Sequence, residues 1–92
     1  MTFPEERVVS RAAKLMEAEL GDEMVALDVQ QGLCLGLNAP ATSVWRLLER
    51  PTSVGELEKL LLAEYDVASD ELARDLQELL RDMASRGLVS IR

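Results

Sequence analysis

The chain has 92 residues, of which 48% are hydrophobic, 29% charged and 3% aromatic, and its formal net charge is −7. That length holds one domain with a modest core, and the excess of carboxylates repels phosphate backbones, which argues against a nucleic-acid partner. No apolar run approaches the ~20 residues of a membrane span, so no membrane partner is expected. The acidic start MTFPEERVV has no signal-peptide hydrophobic region, and a single Cys34 suits a reducing, cytoplasmic setting.

Residues 1–14 read as an N-terminal arm in which Val8 and Val9 add a short extended contact, and residues 15–92 read as the folded domain. The run LMEAEL, Leu15 to Leu20, fits either a strand or part of a helical stripe with Val8, Val9 and Ala12. The strand is preferred, because a two-stranded hairpin alone is marginal and the next strand needs a second neighbour. In that strand Met16, Ala18 and Leu20 point inward, and Gly21-Asp22 turns the chain back.

Met24 to Asn38, MVALDVQQGLCLGLN, carries the strongest pattern in the sequence. Val25, Leu27 and Val29 alternate before a turn at Gln30-Gln31-Gly32, and Leu33, Leu35 and Leu37 alternate after it. A three-residue loop closed by a left-handed glycine predicts Val29 opposite Leu33, Leu27 opposite Leu35 and Val25 opposite Leu37. Ala26, Asp28, Cys34 and Gly36 then share the other face. A glycine inside a strand often marks close approach by another backbone.

Three helices follow. Asn38 suits an N-cap with Pro40 in the first turn, and Ala41, Val44, Trp45 and Leu48 form the apolar stripe up to Arg50-Pro51. Ser53 and Glu56 have capping-box spacing ahead of the stripe Val54, Leu57, Leu60, Leu61 and Tyr65. Ser69 is the expected cap of the last helix, with Asp70 and Glu71 at its positive end. Its stripe is Leu72, Leu76, Leu79, Leu80 and Met83, and Arg86-Gly87-Leu88 ends it as a Schellman motif, with Val89 to Ile91 extended beyond. The fold class expected is therefore α+β, a three-stranded antiparallel sheet followed by three helices. The last two helices resemble the pair of a winged helix-turn-helix.

Little in this inventory supports catalysis. Histidine, the commonest general base and metal ligand, is missing. Cys34 has no imidazole to activate it and reads as a small buried hydrophobe. No phosphate-loop, dinucleotide or zinc spacing occurs, so neither a metal nor a cofactor is expected. As a DNA reader the last helix fares poorly, since it sets Asp70, Glu71, Asp75, Glu78 and Asp82 against Arg74, Arg81 and Arg86.

What remains is a surface for another chain. No later strand need cover the far side of Leu33, Cys34, Leu35, Gly36 and Leu37, so its N–H and C=O groups form a template for strand addition. The last helix forms the opposite wall, with Leu76, Leu79, Leu80 and Met83 offering apolar pockets and otherwise serving as core. Asp75 lines one flank, or Ala73 and Ala84 the other. A free edge can also pair with a second copy, giving a homodimer.

The run GDEMVALDVQQGLCLGLN, then Val44-Trp45-Arg46-Leu47-Leu48, then EYDV, then ARDLQELLRDMASRGLV resembles the PqqD-like family over residues 15–90. Val44-Trp45 stands where Ile-Trp is commoner, and Leu79 where an aromatic often sits. The resemblance implies a non-catalytic recognition element for ribosomally made, post-translationally modified peptides. In the family, a precursor's leader peptide adds antiparallel to the strand matching Leu33–Leu37 and lies against the helix matching Leu72–Met83. The chain is similar both to the separate recognition proteins of lasso-peptide pathways, which work with a leader peptidase, and to PqqD of pyrroloquinoline quinone synthesis, which works with a radical SAM enzyme. Overall similarity favours the lasso type. The rival readings are a winged-helix regulator and a subunit that only stabilises an enzyme.

Overall fold

A computed structural model describes residues 2–21 and 23–92. It is a mixed α+β domain of antiparallel sheets and three helices. The order is β1 (Val8–Arg11), β2 (Leu15–Leu20), β3 (Glu23–Asp28), β4 (Leu33–Leu37), α1 (Ala39–Leu47), β5 (Thr52–Ser53), α2 (Val54–Glu64), α3 (Ser69–Ser85) and β6 (Val89–Ile91). The expected single sheet is two sheets. One runs β2-β3-β4 and the other β5-β1-β6. Val8–Arg11 of the N-terminal segment is the central strand of the second sheet, pairing with β5 on one side and β6 on the other.

The β3–β4 hairpin is offset by one residue from the sequence expectation. Asp28 pairs with Leu33, Leu27 with Cys34, Ala26 with Leu35, Val25 with Gly36 and Met24 with Leu37. The loop is thus Val29–Gly32, and Val29 is exposed rather than facing Leu33. Asp28 causes the shift. Its Oδ1 accepts the backbone N–H of Gln31 at 3.1 Å, closing a side-chain turn of the kind aspartate favours, while Gly32 supplies the left-handed residue at φ 69°. The carboxylate is only 3% exposed, and Lys14 Nζ lies 3.2 Å from Oδ2. Because side chains alternate faces, the face toward the helices carries Met24, Ala26 and Asp28 with Leu33, Leu35 and Leu37, and Val25 and Leu27 point the other way.

The same parity overturns the inward placement of Met16, Ala18 and Leu20. They pair with Leu27, Val25 and Glu23 on the outer face, and Met16 and Leu20 are 61% and 62% exposed. On the inner face β2 presents Glu17 and Glu19, which meet arginines. Arg11 Nη1 lies 2.9 Å from Glu17 and Arg46 Nη2 3.4 Å from Glu19. The helix layer covers β3 and β4, and at β2 it gives way to these ion pairs. Gly21 takes φ 65° at the β2–β3 turn; Asp22, the other residue expected there, lies outside the described residues.

The helices start and stop largely for the expected reasons. Asn38 caps α1 by accepting the Ala41 N–H at 3.0 Å, and Ser53 caps α2 by accepting that of Glu56 at 3.1 Å. The N-cap of α3 is Ala68 instead of Ser69, with no side-chain bond, and the acidic first turn alone complements the dipole. Its C-terminus is a Schellman motif: Leu88 N–H donates to Met83 O, Gly87 N–H to Ala84 O, and Gly87 adopts φ 76°. Leu60 and Tyr65, expected on the buried face of α2, are exposed. The core gathers Val9, Met24, Ala26, Leu37, Val44, Trp45, Leu48, Leu57, Leu80, Met83 and Leu88 among others. Arg11 ties the layers together: its Nε and Nη2 donate to Trp45 O at 3.0 and 2.6 Å, and its guanidinium stands 4.6 Å from the indole centroid.

The Gln31 N–H, with help from Lys14, holds the Asp28 carboxyl below its ordinary value of 3.8 despite burial. A depressed folded-state pKa contributes stability that is complete above the unfolded value and is lost as pH falls through the folded one. Asp28→Asn keeps an acceptor but loses the charge. Urea melts from about pH 6 to about pH 2 should show the variant less stable near neutrality, with the difference shrinking toward the acid end. A constant difference across that range would rule out the charge as the cause.

Candidate functional site

Parity also decides which backbone groups of β4 are free. In an antiparallel pair, directly opposed residues alternate between bonding one another and pointing their N–H and C=O away. The carbonyl of Gly36 accepts Arg86 Nη2 at 2.9 Å from outside the sheet, so Gly36 faces outward. Cys34, two residues earlier, does likewise. Leu33, Leu35 and Leu37 turn their backbones to β3. Among the described residues β4 pairs with β3 alone, and Cys34 and Gly36 form a strand edge that no other strand covers, with the Gly36 carbonyl held by Arg86. Gly36 leaves space there that the chain itself does not require. Its φ is not left-handed, and nothing lies within 4 Å of where a Cβ would sit.

Helix α3 stands beside this edge. Asp75, Leu79, Asp82 and Arg86 recur at spacings of four, three and four, which puts them on one helical face. Arg86 reaches the edge. Asp75 and Leu79 line a cleft of about 500 Å³ between α1 and α3, with Asn38, Pro40 and Val44 on the opposite side and buried Leu61 and exposed Tyr65 and Val67 also lining it. Asn38 directly follows β4, so the edge runs into the cleft. The lining is apolar with Asp75 and Glu78 at the rim. Tyr65 Oη is hydrogen-bonded to Ser43 Oγ, fixing the ring in that lining.

The residues singled out in the sequence fall into three sets. Cys34 and Gly36 are exposed at the edge, and Leu33 and Leu35 are partly exposed with their backbones turned inward. Asp75, Leu76 and Leu79 line the cleft, Leu76 with little of its surface showing. Leu37, Leu80 and Met83 are core, the last two at 0% exposure. Cys34, read as buried, is an exposed free thiol: it lies on the face of β4 opposite Leu33, Leu35 and Leu37, which the helices do not cover. The other flank of α3 is taken: Phe3 N donates to Gln77 Oε1 at 2.6 Å and Gln77 Nε2 donates back to Phe3 O at 2.8 Å, beside Ala73. Arg86 and the α1 wall of Asn38, Pro40 and Val44 were missed by sequence reasoning. Only the LN that ends the strand hinted at the latter.

No group of three or more His, Cys, Asp or Glu among the described residues could hold a metal ion, and no helix among them is long and apolar enough to cross a membrane. An open strand edge running into an apolar cleft beside a helix defines a domain built to receive an extended chain segment. The chain belongs to the PqqD family, coenzyme PQQ synthesis protein D, whose family model matches residues 23–89. Among solved structures it is similar to TbiB1 in complex with the TbiA(beta) leader peptide, with a TM-score of 0.74 and 32% identity over 88% of this chain and 94% of that one. It is also similar to a lasso peptide synthetase B1 complexed with the leader peptide, with a TM-score of 0.72 and 26% identity over 89% and 96%. No curated protein matches it.

Core and cleft residues on α3 should separate by experiment. Leu80→Ala empties a fully buried site and should cost about 2–5 kcal/mol in urea unfolding. Leu79→Ala, at the cleft rim, should cost clearly less. Equal losses would mean that the rim is core.

Proposed function

We propose that this protein binds the leader segment of a ribosomally synthesised precursor peptide by strand addition to β4, and presents the precursor to a maturation enzyme. The observation that carries the reading is the outward-facing pair Cys34 and Gly36 on an edge that ends at the α1–α3 cleft. Its support from relatives is that both solved neighbours hold leader peptides. A guest strand takes backbone hydrogen bonds from the two edge residues and lodges an apolar side chain in the cleft against Leu79 and Val44. The enzyme served is a leader peptidase of a lasso-peptide pathway, given the lasso peptide synthetase B1 neighbour; a radical SAM enzyme is the partner if the role is that of PqqD itself. The domain is a non-catalytic, cytoplasmic carrier, and residues 15–92 together with β1 make up its recognition unit.

The winged helix-turn-helix likeness of α2 and α3 suggests a transcriptional regulator as the second reading. Against it stands the exposed surface of α3, where Asp70, Glu71, Asp75, Glu78 and Asp82 outnumber Arg74, Arg81 and Arg86. Such a helix repels phosphates.

Strand hydrogen bonds contribute about 0.5–1.5 kcal/mol each and a buried apolar anchor about 1.5–3 kcal/mol. Ordering the leader costs about 2–5 kcal/mol. With at most four such bonds and one anchor, these terms leave no more than about 7 kcal/mol, so the Kd should be about ten micromolar or weaker. The test is a fluorescence titration with the labelled TbiA(beta) leader. Cys34→Pro removes an edge N–H where an edge strand tolerates proline and should weaken binding about tenfold in a folded protein. Leu35→Pro removes an N–H bonded to β3 and should destabilise the hairpin itself. Leu79→Glu should also weaken binding about tenfold. Unchanged affinity in folded Cys34→Pro would refute strand addition.

A further inference from the structure

Arg86 has no part in the strand-addition scheme as described, yet it occupies the position such a scheme needs. Its Nη2 stands 2.9 Å from the Gly36 oxygen, the spacing of an amide nitrogen donating to a carbonyl. An added strand lies about 4.8 Å from β4, so the guanidinium and a guest amide compete for one volume. The same guanidinium also has a second, looser partner: Nη1 is 3.7 Å from Asp82 Oδ2, one helical turn back. The side chain is about one-third exposed (35%), and on releasing Gly36 it has room to close the gap to Asp82.

We propose that Arg86 is an edge guard, a side chain that holds the Gly36 acceptor while the edge is empty and withdraws onto Asp82 when a guest strand docks. The inference rests on strand addition to β4 as the binding mode. Exposed edges invite pairing with other edges, and charged side chains are a common defence. Here the defence is selective. A guest amide replaces the lost hydrogen bond one for one and adds cleft contacts, so the leader displaces the guard. Two copies meeting edge to edge must displace two guards, gain no cleft contact, and bring together chains of net charge −7 each.

A guard that must leave before binding lowers the apparent affinity by the fraction of molecules with the edge free. For one hydrogen bond of ordinary net strength that fraction corresponds to about two- to tenfold in Kd. The experiment compares wild type, Arg86→Ala and Asp82→Asn, each checked by circular dichroism, by titration with labelled TbiA(beta) leader and by sedimentation of the free proteins. Arg86→Ala should bind the leader about two- to tenfold tighter and self-associate where wild type stays monomeric. Asp82→Asn, which removes the resting place, should bind more weakly than wild type and stay monomeric. Weaker or unchanged binding by Arg86→Ala would overturn the guard and make Arg86 a grip on the peptide or a bystander. If none of the proteins binds the peptide, the leader reading fails for that peptide and sedimentation alone decides. Arg86→Ala as monomeric as wild type then overturns the guard, and its association supports it.

Discussion

The pairing of Asp28 with Leu33 decides which residues of β3 and β2 face the helices, and the packing of the first sheet depends on it. One carboxylate, buried at the turn and tied to the Gln31 N–H and to Lys14, chooses a four-residue loop over a three-residue one. A one-residue slip moves every side chain of the slipped strand to the opposite face. Under the observed pairing, Leu35 and Leu37 turn toward the helices while Cys34 and Gly36 offer their amides and carbonyls outward. Under the alternative, β4 would keep those faces, and Val25, Leu27 and Val29 would replace Met24, Ala26 and Asp28 against the helices.

The fold then keeps that edge apart from the rest of the structure. Arg11 grips the Trp45 carbonyl, stacks on its ring and pairs with Glu17, joining β1, β2 and α1 across the gap between the two sheets. The N-terminal residues bind Gln77 and fill one flank of α3, so only the flank carrying Asp75 and Leu79 faces the cleft. Two termini distant in sequence meet in the second sheet, where β1 is the central strand and β6 one of its two neighbours.

Local chemistry was legible in the sequence. The Asn38 and Ser53 caps, the Schellman end at Gly87 and the strands flanking Gly32 all depend on residues within a few positions of one another. Parity was not legible, because Val25-Leu27-Val29 and Met24-Ala26-Asp28 are both acceptable inner faces until burial of Asp28 is known. An aspartate facing the core runs against apolar patterning, and the Gln31 and Lys14 partners that permit it depend on the turn and on a neighbouring strand. The second sheet escaped notice for another reason: β5 has two residues and β6 three, too short for any period to register. Arg86 looked like a solvated C-cap residue, and its meeting with Gly36 spans fifty positions.

The lone tryptophan has a practical consequence. Trp45 is 1% exposed and lines neither cleft, and its ring is sealed under Arg11. Its emission is therefore an internal gauge of whether the domain is intact. Tyr65, the lone tyrosine, lines the cleft. The molecule thus carries one chromophore sealed in its core and one at the cleft.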